Sequence, residues 1–103
     1  MPPRDEGFKD FVLDQLACLR GLTCRSMFGG HGLSRYGAFF GIIHKGRLYF
    51  KVSPATLPQY QEHAMKPFRP TPKQTLKSFY EVPVDVIEDT EQLTKWAERA
   101  GQP

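Results

Sequence analysis

Apolar residues recur at Phe8, Phe11, Val12, Leu16 and Leu19, the i, i+3, i+4 spacing of one helix face. Acidic residues precede them and Gly21 follows, so the spacing predicts a helix over 5–20 that ends at the glycine. From Cys24 onward the period becomes that of strands. Segments 24–34, 38–44 and 47–52 are separated by Arg35-Tyr36-Gly37 and by Lys45-Gly46, which predicts a three-stranded antiparallel meander.

The Lys45-Gly46 pair also fixes a register. A two-residue hairpin loop there sets His44 opposite Arg47, then Ile43 opposite Leu48, Gly41 opposite Phe50 and Phe39 opposite Val52. That side of the sheet is wholly apolar and is the predicted core. The other side carries Phe40, Ile42 and Tyr49 together with His44, Arg47 and Lys51, a mixed aromatic and basic surface that is the candidate interaction face.

Two prolines precede the next apolar pattern. Proline costs about 3 kcal/mol in a helix interior but little in the first turn, whose N–H groups have no intrahelical acceptor. With Thr56 as cap and Gln59 as its capping-box partner, Pro58 falls in that first turn and a short helix runs to about Ala64. The Pro-rich segment 67–72 then reads as a loop anchored by Phe68, and 75–82 as a fourth strand stopped by Pro83. A second capping box, Asp89-Thr90-Glu91-Gln92, opens a helix with Leu93, Trp96, Ala97 and Ala100 on one face. Strands and helices lack a βαβ rhythm, so the expected class is α+β, an antiparallel sheet of about four to five strands with flanking helices.

At 103 residues the chain is one domain, 1–103, with 1–4 and 101–103 expected to be disordered. Its composition, 40% hydrophobic and 24% charged, is that of an ordinary globule rather than a disordered chain. The longest apolar run, 38–43, falls far short of the roughly 20 residues of a membrane helix, and the first residues lack an apolar signal core. A cytoplasmic protein is expected. Cys18 and Cys24 form neither a disulfide framework nor a C-x-x-C pair, so reduced thiols are expected. A net charge of +3 is compatible with an acidic or nucleic-acid partner and also with neither.

The stretch Ser26-Met27-Phe28-Gly29-Gly30-His31-Gly32-Leu33 invites a phosphate-loop reading. A dinucleotide fingerprint needs a helix after its glycines and a P-loop needs Gly-Lys-Ser/Thr; here another strand follows. The preferred reading is a bulged or closely approached strand in which side chains would clash. His31 is the one residue there able to do acid–base or metal work, yet no carboxylate or His-x-x-x-His spacing accompanies it. A Cys24, His31, His44 metal cluster lacks a fourth ligand and is disfavoured. Cys24 adjoins Arg25, but adjacent strand residues point to opposite faces, so an activated thiolate is not expected. Asp85, Glu88, Asp89 and Glu91 cluster where a helix begins and suit its dipole. No catalytic, cofactor-binding or metal-binding residue is assigned.

The order of motifs resembles a known family. Arg25-Ser26-Met27-Phe28-Gly29-Gly30-x-Gly32-Leu33, Gly37 and Phe40, Arg47-Leu48-Tyr49-Phe50-Lys51-Val52, Pro67-Phe68, Tyr80-Glu81-Val82-Pro83 and Leu93-x-x-Trp96-Ala97 look like the N-terminal domain of TfoX/Sxy competence regulators, over 8–100. The resemblance makes Arg25, Met27, Phe28, Gly29, Gly30, Gly32, Gly37, Tyr80, Pro83 and Trp96 a structural signature. It implies an α+β domain with a curved antiparallel sheet, similar to secretion-chaperone-like folds. It further implies a bacterial regulatory role, since full-length members support DNA-uptake gene expression alongside the cyclic-AMP receptor protein and have no known catalytic activity. Those regulators usually carry a C-terminal domain as well, so the resemblance extends to their N-terminal part alone.

The resulting expectation is a non-enzymatic regulatory or adaptor domain, monomer or homodimer, that binds a protein of the transcription machinery through Phe40, Ile42, His44, Arg47, Tyr49 and Lys51. A second reading is weak nucleic-acid binding by the same basic-aromatic surface. A third is a small-ligand or metal protein using His31.

Overall fold

The computed structural model describes residues 4–27 and 29–100. Helix α1 (Arg4–Gln15) ends earlier than its periodicity predicts, because the chain tightens after Leu16. The Ala17 N–H bonds the Asp14 carbonyl at 3.2 Å and the Leu19 N–H the Leu16 carbonyl at 2.9 Å, three-residue closures that end an α-helix. Gly21 then turns the chain at φ +77°. Val12, Leu16 and Leu19 are buried as expected, whereas Phe11 stays 43% exposed. Of the termini expected to be disordered, Arg4 starts α1 and the rest lies outside the described residues.

Strands β1 (Leu22–Met27), β2 (Gly30–Arg35), β3 (Ala38–His44), β4 (Arg47–Lys51), β5 (Pro67–Thr71) and β6 (Gln74–Glu81) form one antiparallel sheet in the order β1-β2-β3-β4-β6-β5. Six strands replace the expected four to five for two reasons. Segment 24–34 is a hairpin, with Met27 opposite Gly30 and Gly29 at φ +73° in the two-residue connection. Phe28, which the family signature includes, lies outside the described residues. The Pro-rich segment expected to be a loop is the edge strand β5, where a missing N–H costs no ladder bond.

The Lys45-Gly46 register holds at His44–Arg47, Ile43–Leu48 and Gly41–Phe50. It does not extend to Phe39 and Val52. Leu33 faces Gly41 but Ser34 faces Phe39, so Phe40 is the extra residue of a β-bulge. The bulge inverts the alternation, turning Phe40 into the core and Phe39 away from it.

Helices α2 (Leu57–Glu62), α3 (Val84–Ile87) and α4 (Thr90–Ala100) join α1 on one face of the sheet. Tyr60, Val86, Leu93 and Trp96 close there over Leu33, Ile43, Leu48 and Phe50. Thr56 stands at the N-cap position of α2, but the expected capping box does not form: its hydroxyl accepts the Ser53 N–H at 2.9 Å and makes no bond to the first turn of the helix. Asp89 caps α4 as predicted, accepting the Gln92 backbone N–H at 3.2 Å and its side-chain amide at 3.0 Å. Pro83 precedes the one-turn α3, an element with too short an apolar pattern to be read from the sequence.

Candidate functional site

The face of the sheet turned away from the helices is the place where the expected interaction residues should converge. β3 and β4 present Ile42 and Tyr49 there, as the hairpin register requires. They are covered, however. Phe68 of β5 lies 4.6 Å from the Tyr49 ring and 5.3 Å from the His44 ring, and Phe39 lies 5.3 Å from Phe79. Ile42, Phe68 and Tyr49 are 1, 1 and 9% exposed. This second apolar cluster is a small core with its own enclosure, favoured by about 1.5–3 kcal/mol for each large side chain fully removed from water.

The structure therefore splits the expected face. Phe40 is removed from it by the bulge and packs tilted against Phe50, ring centroids 5.6 Å apart, in the main core. Ile42 and Tyr49 are present but buried, and His44 is half-buried beside Phe68. Arg47 and Lys51 remain exposed. Burial, followed by the Glu81 carboxylate, raises the Tyr49 hydroxyl above its ordinary value, with Arg47 opposing.

What the sheet as a whole offers a partner is charge. The six strands contain six cations, Arg25, Arg35, Arg47, Lys51, Arg69 and Lys77, and one acid, Glu81. Glu81 is already engaged by Arg47 at 3.0 Å. Residues 22–82 carry nine Lys or Arg against two Asp or Glu, and the rest of the chain carries five against nine. The sheet is thus the positive pole and the α1, α3 and α4 layer the negative one, a separation that a net charge of +3 conceals. Lys45 and Arg69 meet where the β3–β4 turn approaches β5 and line a shallow depression of about 350 Å³ with Pro70, Thr71 and Pro72. Charge counted by segment would have revealed Arg25, Lys45 and Arg69 beside Arg47 and Lys51; hydrophobic periodicity does not.

The glycine stretch is built for close approach. A Cβ on Gly30 would collide with the Ile43 carbonyl oxygen, and one on Gly32 with the Met27 sulfur and, at 2.9 Å, with the Phe39 ring. Met27 therefore lies across Gly32 toward the outer cluster. His31 is half-buried, opposite Ser26 and Ile43, and its Nδ1 is buried without a hydrogen-bond partner among the described residues. Because Ile43 faces the main core, His31 and its neighbour-once-removed His44 lie on opposite faces of the sheet. Cys24, His31 and His44 thus do not converge, and no three His, Cys, Asp or Glu side chains do so among the described residues. Burial raises the Cys24 thiol above its ordinary range, with Lys9 pulling the other way.

The remaining signature residues hold the fold. Trp96 packs edge-on to Tyr60 at 4.8 Å, Tyr80 lies 6.2 Å from the same ring, and Gly37 turns the β2–β3 connection at φ +82°. Among the described residues no helix is long and apolar enough to cross a membrane. A family model described as the TfoX N-terminal domain matches residues 14–102. No curated protein matches the chain.

Proposed function

The chain belongs to the TfoX N-terminal domain family, and from that premise we propose that it is a non-enzymatic cytoplasmic regulatory domain that acts in transcription by binding a protein partner. The observation that carries this reading is the segregation of charge, which leaves Arg25, Arg47 and Lys51 exposed on strands whose one acid is already paired. Such a surface selects an acidic patch, accelerates encounter and repels cationic competitors. The aromatic residues contribute differently from the sequence expectation. Buried Tyr49 and Phe68 stiffen the platform, and the cations around it make the contact.

The test compares pull-downs from native lysate using the wild-type chain and the Arg47→Glu/Lys51→Glu variant. Components of the transcription machinery retained by the wild type at low salt, lost by the variant and released at high salt, are the expected result. Retention of the same proteins by the charge-reversed variant overturns the reading.

The positive pole also favours a second reading, contact with nucleic-acid phosphates. With Tyr49 and Phe68 enclosed, base stacking is denied to them, and binding would be sequence-independent with affinity falling steeply as salt rises. Duplex or single-stranded DNA that fails to bind at low salt removes it.

A further inference from the structure

The two edges of the sheet are not alike. β5 closes one edge with Pro67 and Pro70, residues that donate no N–H and blunt strand addition. β1 forms the other edge with Leu-Thr-Cys-Arg-Ser-Met, six residues without proline.

The hairpin register decides which groups of β1 are free. A two-residue loop makes Met27–Gly30 a hydrogen-bonded pair, and such pairs alternate along an antiparallel ladder. Arg25–Gly32, Thr23–Ser34 and Gly21–Tyr36 are then the next bonded pairs, and the Tyr36 N–H does bond the Gly21 carbonyl at 2.9 Å. The N–H and C=O groups of Leu22, Cys24 and Ser26 consequently point away from β2. No backbone partner for them occurs among the described residues.

We propose that β1 pairs with β1 of a second copy, antiparallel about a two-fold axis through Cys24, to form a homodimer with one continuous sheet. The strand is its own complement. Bonded pairs Leu22–Ser26, Cys24–Cys24 and Ser26–Leu22 use every outward group once, and Thr23 faces Arg25 between them. Charge and bonding count select this register over its neighbours. A shift toward the C-terminal end sets Arg25 directly against Arg25, a destabilising like-charge pair, and either shift leaves outward groups unpaired. The axis is isologous and closes at two copies. It also doubles the cationic outer face, extending the surface beyond what one chain provides. Because a six-residue edge buries less than the roughly 1,200 Å² of a stable interface, assembly depends on concentration.

Amide exchange on the full chain reads the pairing directly. Between micromolar and millimolar chain, the Leu22, Cys24 and Ser26 amides should slow by about tenfold or more, while Thr23, Arg25 and Met27 stay protected throughout. Concentration-independent exchange at all three outward amides, with a monomer by sedimentation, overturns the proposal. Ser26→Pro removes one outward N–H and none of the β1–β2 bonds. It should abolish the dimer with Thr23 and Arg25 still protected, and an unaltered dimer in that folded variant refutes edge pairing. In a Cys18→Ser background, a short bis-maleimide should link Cys24 to Cys24, whose Cα atoms would lie about 5.5 Å apart across the axis. A dimer that resists this cross-link has a different register, and the axis assigned here is then wrong.

Discussion

Gly29 and Gly30 are adjacent, yet the structure requires glycine at each for a different reason, and substitution separates the two. Gly29 sits at φ +73° with nothing near the site of a Cβ, so only backbone conformation opposes a side chain. Left-handed backbone costs an L-residue about 1–2 kcal/mol, partly offset by the stiffer unfolded chain, so Gly29→Ala should destabilise by about 1 kcal/mol. Asparagine tolerates that conformation, and Gly29→Asn should cost less. Gly30 has an unconstrained φ, but its Cβ would strike the Ile43 carbonyl oxygen, a backbone atom held in the β2–β3 ladder. Overpacking of about 1–3 kcal/mol and a disturbed ladder bond of about 1 kcal/mol place Gly30→Ala near 3 kcal/mol, a large share of the 5–15 kcal/mol typical of a domain. Gly32 is intermediate, since the Met27 side chain can swing aside. Met27→Ala should therefore offset part of the cost of Gly32→Ala, a coupling readable by a double-mutant cycle. Urea unfolding followed by the fluorescence of Trp96 provides the assay, with slopes unchanged and midpoints ordered Gly29→Asn, Gly29→Ala, Gly30→Ala from most to least stable. Equal costs at 29 and 30, or an asparagine as damaging as alanine, would refute the assignment.

Phe68→Ala should destabilise by about 3–5 kcal/mol, measured by urea midpoint, because it empties the centre of the outer cluster. In a tyrosine absorbance titration the Tyr49 hydroxyl should move down toward its ordinary value in Phe68→Ala and in Glu81→Gln. The folded state holds that proton more tightly than the unfolded state, so this tyrosine's contribution is intact at neutral pH and is lost as pH rises past about 10. Asp89, held below the ordinary carboxylate range first by its bond from the Gln92 side chain, has the opposite sign. Thermal melts should show Asp89→Ala less stable than wild type at pH 7, the gap narrowing as pH falls through about 4 and below. Alkylation followed by mass spectrometry should label exposed Cys18 before Cys24, whose thiol is raised by burial.

Legibility in the sequence depended on how local each determinant was. The Lys45-Gly46 loop fixes a register by its own length, and Asp89 caps α4 by its own side chain, so both were readable and both hold. The bulge at Phe40 is not local. It arises where β2 and β3 fall out of step, and an apolar run such as Ala38-Phe39-Phe40-Gly41-Ile42-Ile43 satisfies either face of a sheet with a core on both sides. β5 was obscured because Pro67 and Pro70 are poor strand residues everywhere except at an edge, and edge position is a property of the whole sheet. The β1–β2 turn was hidden because glycines that serve close packing look the same as a glycine that serves a turn.

That one misplaced edge strand changes the chemistry available to the sheet. Had 67–72 been a loop, Ile42, Tyr49 and Phe39 would line an open aromatic surface suited to stacking or to an apolar groove. With Phe68 seated at 4.6 Å from Tyr49, the same residues become an enclosed layer that gives the sheet stiffness on both sides. Recognition then falls to groups that enclosure cannot remove: the cations whose stems lie on the strands while their heads stay in water, and the backbone of the unblunted edge. The two are physically compatible. Pairing at β1 is strongest when like charges are kept out of opposition, and the register through Cys24 places Arg25 against Thr23, so dimerisation extends the positive surface without setting its cations directly against one another.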